Sequence, residues 1–448
     1  MHPRLPRSAV AGYAAGSVGT GGFSTLPGLV LAYYLTDTLA VPALLATVVV
    51  VLPKVWDVLI DPLVGAVSDR DAASHVGRRR LMLAGALTLP VGFVGMFATP
   101  DGLGPAAAGL WVLVFFVLAT TSFSCFQVPY IALPADLTQG YDERTRVMAW
   151  RIAVLALAIL LVGAGGPALR DAAGGGRPGY LVMALGIAAL LLAGMLATVV
   201  ATRPHLRRTP STSPGAVAGY REGLVVWREV TAYRVLLSVF VLQALATGVM
   251  LAAAQYVAAY TLGDEGALTL LFAALVAPAL LVMPLWARYA ASRGKPAGLG
   301  LASAIFAAAS LALVGLLWLP GWWVYPVVGV AGVAYAGMQL FPLAMLPDVV
   351  TAAGRARGGA MSGLWTAGET SGLALGPVVL LLLLGATGFR SSTAGEQLAQ
   401  PAAAGVAIVL AFSVVPALLV AASLLVLRRY TDPVSAGAVP DPIPGGPP

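Results

Sequence analysis

Long apolar runs dominate this chain, and they lack the two-residue alternation that marks the strands of a membrane barrel. Hydrocarbon supplies no hydrogen-bond partners, so a chain that crosses it must be helical or a closed barrel. The runs therefore predict crossing helices. Each crossing needs about 20 apolar residues, so twelve need about 240. Hydrophobic residues make up 59% of the 448, which suffices for twelve crossings and leaves little for a soluble domain. Only 10% of residues are charged, against roughly 25% in soluble domains.

Spans are predicted at 10–36, 43–67, 81–99, 108–133, 150–169, 180–202, 235–262, 268–290, 299–319, 323–346, 360–386 and 403–427. The first is too long for a cleaved signal and reads as an anchor behind Arg4 and Arg7. With the N-terminus inside, 21 Lys and Arg residues fall in inner segments and 3 (Arg170, Arg177 and Arg390) in outer ones. That bias predicts an even span number and cytoplasmic termini. The net charge of +7 is then explained by inner loops rather than by a nucleic-acid partner.

The predicted organisation is a six-helix half over 1–202, a cytoplasmic linker over 203–234, a second six-helix half over 235–427 and a disordered tail over 428–448. Within the linker, AGYREGLVVWREV reads as a short helix on the inner membrane surface. The ends of spans four and ten echo each other, as PYIALPAD and PLAMLPD. Such an echo is the mark of two related halves.

The single cysteine, Cys125, excludes an intrachain disulfide and any multi-cysteine metal site. The three histidines lie in polar segments, and no nucleophile elbow or phosphate loop is present, so the chain reads as no enzyme and needs no cofactor. A charge inside a bilayer costs at least ~2.5 kcal/mol and is a functional candidate by default. The candidates are Lys54, Asp57, Asp61, Arg151 and Glu369. Asp57 and Asp61, spaced i, i+4, share a helical face. Two carboxylates so close favour a shared proton or a bound cation such as Na⁺. Pro62 lacks an N–H, which leaves the Val58 carbonyl as a further oxygen ligand. The competing reading pairs Asp57 with Lys54.

Arg151 opens span five, where its fork of donors suits an anionic or hydroxyl-rich solute; the competing reading is interfacial anchoring. Glu369 either pairs with Arg151 across the halves or sits neutral. Gln127, Gln243, Gln255 and Gln339 are uncharged polar residues in spans, suited equally to linking helices and to touching solute. After span two, Asp69, Arg70 and Arg78 to Arg80 form a cluster suited to breakable ion pairs at a gate; Asp136 and Arg144 take the same part after span four.

At these residues the chain resembles the glycoside–pentoside–hexuronide:cation symporters, the melibiose-permease-like branch of the major facilitator superfamily. The motifs are WDVLIDPLVGAVSDR with GRRR, AYYLTD, VPYIALPADLTQGYDERTRVMAWR, QYVAAYTLG, AMLPDVV and GLWTAGETSGLALG. The resemblance implies an all-α alternating-access symporter of a sugar-like or other small solute, coupled to Na⁺ or H⁺. The resemblance further implies a place in the cell membrane (in a bacterium, the cytoplasmic membrane) and function as a monomer. It also implies that Asp57 and Asp61 form the cation site with the Ser124 hydroxyl, and that Arg151 binds substrate beside Gln127, Tyr130, Trp365, Glu369 and Thr370. The chain departs from the sugar carriers in three places, one being Thr370, preceded by Glu369, where a lysine of helix eleven falls. Helix one reads Gly19-Thr20-Gly21-Gly22 where they carry an acid, and Gln127 replaces an Asp. The same branch contains lysophospholipid symporters, so an amphipathic substrate is the alternative. A non-transporting receptor or assembly factor is a third reading, without an extramembrane domain to support it.

Overall fold

The computed structural model describes residues 5–73, 78–137, 141–205, 216–353, 358–393 and 398–431. The described residues are helical almost throughout, in two compact units. The first comprises Met1–Ala216, Leu251–Ala273 and Pro377–Ile408. The second comprises Val217–Met250, Ala274–Gly376 and Val409–Pro448.

The first unit contains α1 (Arg7–Tyr33), α2 (Ala43–Ala73), α3 (Arg79–Phe97), α4 (Pro105–Leu137), α5 (Tyr141–Ala172) and α6 (Gly176–Thr202). α1 packs against α5 and α6, and α4 against α2 and α3. Small residues let α1 and α6 approach closely: a Cβ on Gly12 would lie 2.1 Å from the Ala201 Cβ. Close approach is how helices associate where lipid provides no hydrophobic drive. The Thr198 hydroxyl donates to the Gly12 carbonyl across the same seam, at 2.7 Å.

Most of the second unit is built from α7 (Ala216–Glu229), α8 (Thr231–Tyr256), α9 (Ala267–Arg293), α10 (Lys295–Ala312), α11 (Val324–Ala353), α12 (Gly358–Ala386), α13 (Ala402–Phe412) and α14 (Val414–Leu427). The C-terminal ends of α8 and α12, the N-terminal part of α9 and most of α13 belong to the first unit. α8 and α12 cross where a Cβ on Gly376 would lie 2.1 Å from the Gly248 carbonyl carbon. The buried Gln243 amide donates to Ser303 at 2.9 Å and to Ser423 at 3.3 Å, so it links α8 to α10 and α14. α7 is helical as its sequence predicts. Its Val226 is buried and its Gly223 faces Ala360 and Leu364 of α12, while Leu224 and Val225 stay exposed.

Among the described residues ten helices are long and apolar enough to cross a membrane, or eleven with the bent pair Ala267–Ala279 and Leu281–Arg293. α1 has 27 residues but is not among them, because its glycine, serine and threonine lower its hydropathy. Predicted span twelve is broken at Ser413 between α13 and α14. The prolines of the sequence echo lie inside α4 and α11, which continue past them to Leu137 and Ala353. The tail from residue 432 lies outside the described residues, as does the linker stretch 206–215.

Candidate functional site

α2 carries Lys54, Asp57 and Asp61 in one apolar helix that runs through Pro62 without interruption. α4 lies alongside. Its buried Ser124 donates to Asp57 Oδ1 at 2.8 Å. One turn away, Trp56 Nε1 donates to Thr121 Oγ1 at 2.8 Å, which pins the same two helices together. Asp61 lies within reach of both the Asp57 charge and the Ser124 hydroxyl. The Lys54 ammonium lies 5.8 Å from the Phe116 ring centroid, and no described ion pair joins it to Asp57. The structure thus brings Asp57, Asp61 and Ser124 together. Among the described residues no group of three or more His, Cys, Asp or Glu converges. A cation held here would need hydroxyl or carbonyl oxygens beside the two carboxylates, as hard cations accept.

A second group surrounds Tyr130 of α4. This ring is fully buried, stacked on Tyr13 at 4.8 Å and on Phe126 at 5.3 Å. Its hydroxyl donates to the Tyr13 carbonyl at 2.9 Å and lies 2.9 Å from Ser17 Oγ. The Arg151 guanidinium sits 5.2 Å from the ring centroid. Among the described residues its Nε is buried without a hydrogen-bond partner, and so is Oε1 of Gln127. Full burial makes Tyr130 a platform under Arg151, whereas Arg151 and Gln127 keep unused polar capacity that a solute can meet.

In the second unit, α12 carries the remaining predicted substrate residues. Trp365 is buried, stacked on Phe240 at 4.5 Å, with its Nε1 unpartnered among the described residues. Glu369 is half-buried near Tyr335, whose hydroxyl accepts from Gln339 Nε2 at 2.9 Å. Thr370 is exposed.

Of the predicted gate residues, buried Arg78 donates through Nη1 to Ser68 Oγ at 2.6 Å. The side chains of Asp69, Arg70, Asp136 and Arg144 lie outside the described residues. A comparable pair in the second unit is Lys295 Nζ with Asp348 Oδ2, at 2.6 Å.

One cluster escaped the sequence reading. Arg170, expected as an outer loop charge, is fully buried between Asp171 at 2.7 Å and Glu265 at 3.6 Å, with the Tyr180 ring centroid 5.4 Å away. Beside it Tyr260 donates to Asp37, and Thr36 lies 2.7 Å from the Tyr256 hydroxyl. The only sequence signal was that both segments, AYYLTD and QYVAAYTLG, belong to the quoted motifs.

Residues 12–431 match the family model described as MFS/sugar transport protein. An uncharacterized symporter of Synechocystis is 30% identical over 190 residues, 40% of this chain and 35% of that one. The mouse protein named sodium-dependent lysophosphatidylcholine symporter 1 is 26% identical over 358 residues, 72% of this chain and 66% of that one. The Escherichia coli protein YagG, whose name assigns it provisionally to glycoside/cation symport, is 28% identical over 151 residues, 34% and 33% of the two chains. The chain thus spans between a third and two thirds of the length of these relatives. Among solved structures the fold resembles a D-xylose-proton symporter, with a TM-score of 0.67 at 13% identity, covering 95% of this chain and 98% of that one. It also resembles the nucleoside transporter NupG, with a TM-score of 0.62 at 13% identity, covering 93% and 99%. The resemblance read from the motifs is borne out: this multi-pass helical protein belongs to the MFS/sugar transport family, a family of transporters and symporters rather than enzymes.

Proposed function

We propose that the protein couples uphill uptake of a sugar-like or other small organic solute to entry of Na⁺ or H⁺, by alternating access. In this reading twelve helices form two six-helix halves, 1–202 and 235–427, with both termini in the cytoplasm of a bacterium-like cell and the monomer as the working unit. α1 is then the crossing whose polarity hides it from a hydropathy count. The observation that carries the reading is the hydrogen bond from Ser124 to Asp57, with Asp61 one helical turn onward. Dehydrating a coupling cation is costly unless fixed negative charge and oxygen ligands replace its water, and these three residues provide both. Names of relatives support cation coupling, one of them sodium dependence.

The test is accumulation against exchange. Asp61→Asn is nearly isosteric but cannot supply charge. Reconstituted vesicles carrying it should exchange substrate down its gradient yet fail to accumulate it under an imposed Na⁺ or H⁺ gradient. Accumulation equal to the parent's would overturn the coupling site.

A second reading, an amphipathic lysolipid-like substrate, is favoured by packing in α1. A Cβ on Gly21 would lie 2.9 Å from Leu155 Cδ1, so apolar side chains of α5 pack against the stretch where a sugar carrier places its acid. The relative with the widest of the alignments above is named for lysophosphatidylcholine. Thermal stabilisation of the purified protein by glycosides or by lysophosphatidylcholine, with and without Na⁺, separates the two readings.

A further inference from the structure

The first unit joins helices of the first sequence half to two segments of the second, 251–273 and 377–408. The junction lies at the end of α1 remote from Arg7. Here the connection from α1 to α2 is held by backbone bonds. Ser392 N donates to Thr36 O at 2.9 Å, and Ala40 N to Ser392 O at 3.0 Å. Ala40 adopts φ 54°, a left-handed conformation costly for a residue with a Cβ. Side chains close the same junction. Tyr33 donates to Glu265 at 3.1 Å, and Arg170 pairs with that carboxylate. Parting the halves at this end must break these contacts.

Asp37 sits at the centre of the junction, in the π-helical turn Tyr34–Thr38 beyond the first span, and only 7% of it is exposed. Its described hydrogen bonds come from hydroxyls, Tyr260 on one carboxylate oxygen and Thr36 on the other. The groups facing it are the phenols of Tyr33, Tyr180, Tyr256 and Tyr260 and the carboxylate of Glu265. Gln400 approaches the Tyr260 hydroxyl at 3.5 Å from the 398–400 side. The buried Arg170 is engaged by Asp171 and Glu265.

Thr36 Oγ1 owns one proton and has three neighbours: the Ala32 carbonyl at 3.2 Å, Tyr256 OH at 2.7 Å and Asp37 Oδ2. If Asp37 is protonated on Oδ2, it donates to Thr36. Thr36 then donates to Ala32, and Tyr256 donates to Thr36. Each contact holds one hydrogen. If Asp37 is ionised, the Thr36 proton turns to the carboxylate and the Ala32 contact loses its hydrogen.

We propose that Asp37 is a proton-binding site whose occupancy holds the two sequence halves together at this end, the non-cytoplasmic side in the orientation proposed above. Burial pushes the Asp37 carboxyl up to about 7, while a carboxylate freed into water by opening returns to about 4. The closed form is therefore favoured fully below about pH 4, and the advantage is lost as pH rises to about 7 and is gone above it. This site is distinct from Asp57 and Asp61, and the inference rests on the alternating-access reading but on neither the substrate nor the coupling ion.

The experiment measures spin-label distances by pulsed electron resonance in the full chain in vesicles, without Na⁺ or substrate. Labels go on Ala106→Cys and Ala399→Cys in a Cys125→Ser background, both native alanines being exposed. The ratio of short to long distances should fall by about 25-fold between pH 5.5 and 7.5. Asp37→Asn, permanently neutral, should stay closed with a flat profile. Tyr260→Phe removes a donor that favours the ionised carboxylate, so its midpoint should move to higher pH. The Asp61→Asn variant is measured beside the parent to remove any proton response of the coupling site; the pH response that remains in it should vanish when Asp37→Asn is added, and a response that persists in the double variant overturns the proposal. A pH-independent ratio in the parent, or a full response in Asp37→Asn, overturns the proposal. If Asp37→Asn does not fold, an unmoved midpoint in Tyr260→Phe overturns it alone.

Discussion

Ser124 reaches from α4 to α2 and donates to Asp57 at 2.8 Å, from a position 1% exposed to solvent. A hydrogen bond to a charged group is worth ~1.5–3 kcal/mol. Ser124→Ala should therefore raise the cation concentration for half-maximal transport by about tenfold or more. Expression should stay near normal, because alanine fits the space. Uptake titrated against Na⁺ and against pH checks this; an unchanged half-maximal concentration for both ions would remove Ser124 from the site.

Arg151 combines a ring contact with Tyr130 and a buried, unpartnered Nε. Lysine keeps the charge but loses the planar fork. Arg151→Lys should fold, and its apparent substrate affinity should fall by about tenfold, one charge-assisted hydrogen bond's worth. Competitive binding on purified protein reads this directly. An unchanged affinity would assign Arg151 to anchoring.

Arg170 ties α5 to Glu265, 95 residues further along the chain. Arg170→Met keeps much of the apolar stem but strands two carboxylates. Both retain water, at 29% and 42% exposure. The loss should therefore be about 2 kcal/mol, below the 3–5 of a fully buried pair. A lowered melting temperature in detergent is the expected result; an unchanged one would show that the pairing adds nothing to stability.

A reporter active only in the cytoplasm, fused after residue 431, should be active. The bias of 21 inner to 3 outer basic residues predicts it. A silent reporter at normal expression would reverse the topology and move the Asp37 junction to the cytoplasmic side.

The sequence made the helices legible because apolar runs of this length have one use. It made Asp57 and Asp61 legible because charges in mid-run stand out. Asp37 was different. It lies where a run ends, and a charge at a helix end is ordinary. Arg170 was assigned by topology alone to an outer loop, yet it is buried, because its partner Glu265 is remote in sequence and no local pattern announces the pairing. The break at Ser413 left no trace either, since Ala402–Leu427 reads as one apolar stretch.

The Asp37 junction has two π-helical turns, Tyr34–Thr38 and Val257–Thr261, and each supplies one of its partners, Asp37 and Tyr260. A π turn amounts to one extra residue threaded into an α-helix. Deleting that residue would turn everything beyond it by about 100°. The two partners therefore meet through a phase offset carried in each backbone. A one-residue deletion at either turn would swing the acid or the phenol off its mark while leaving every side chain in the protein intact.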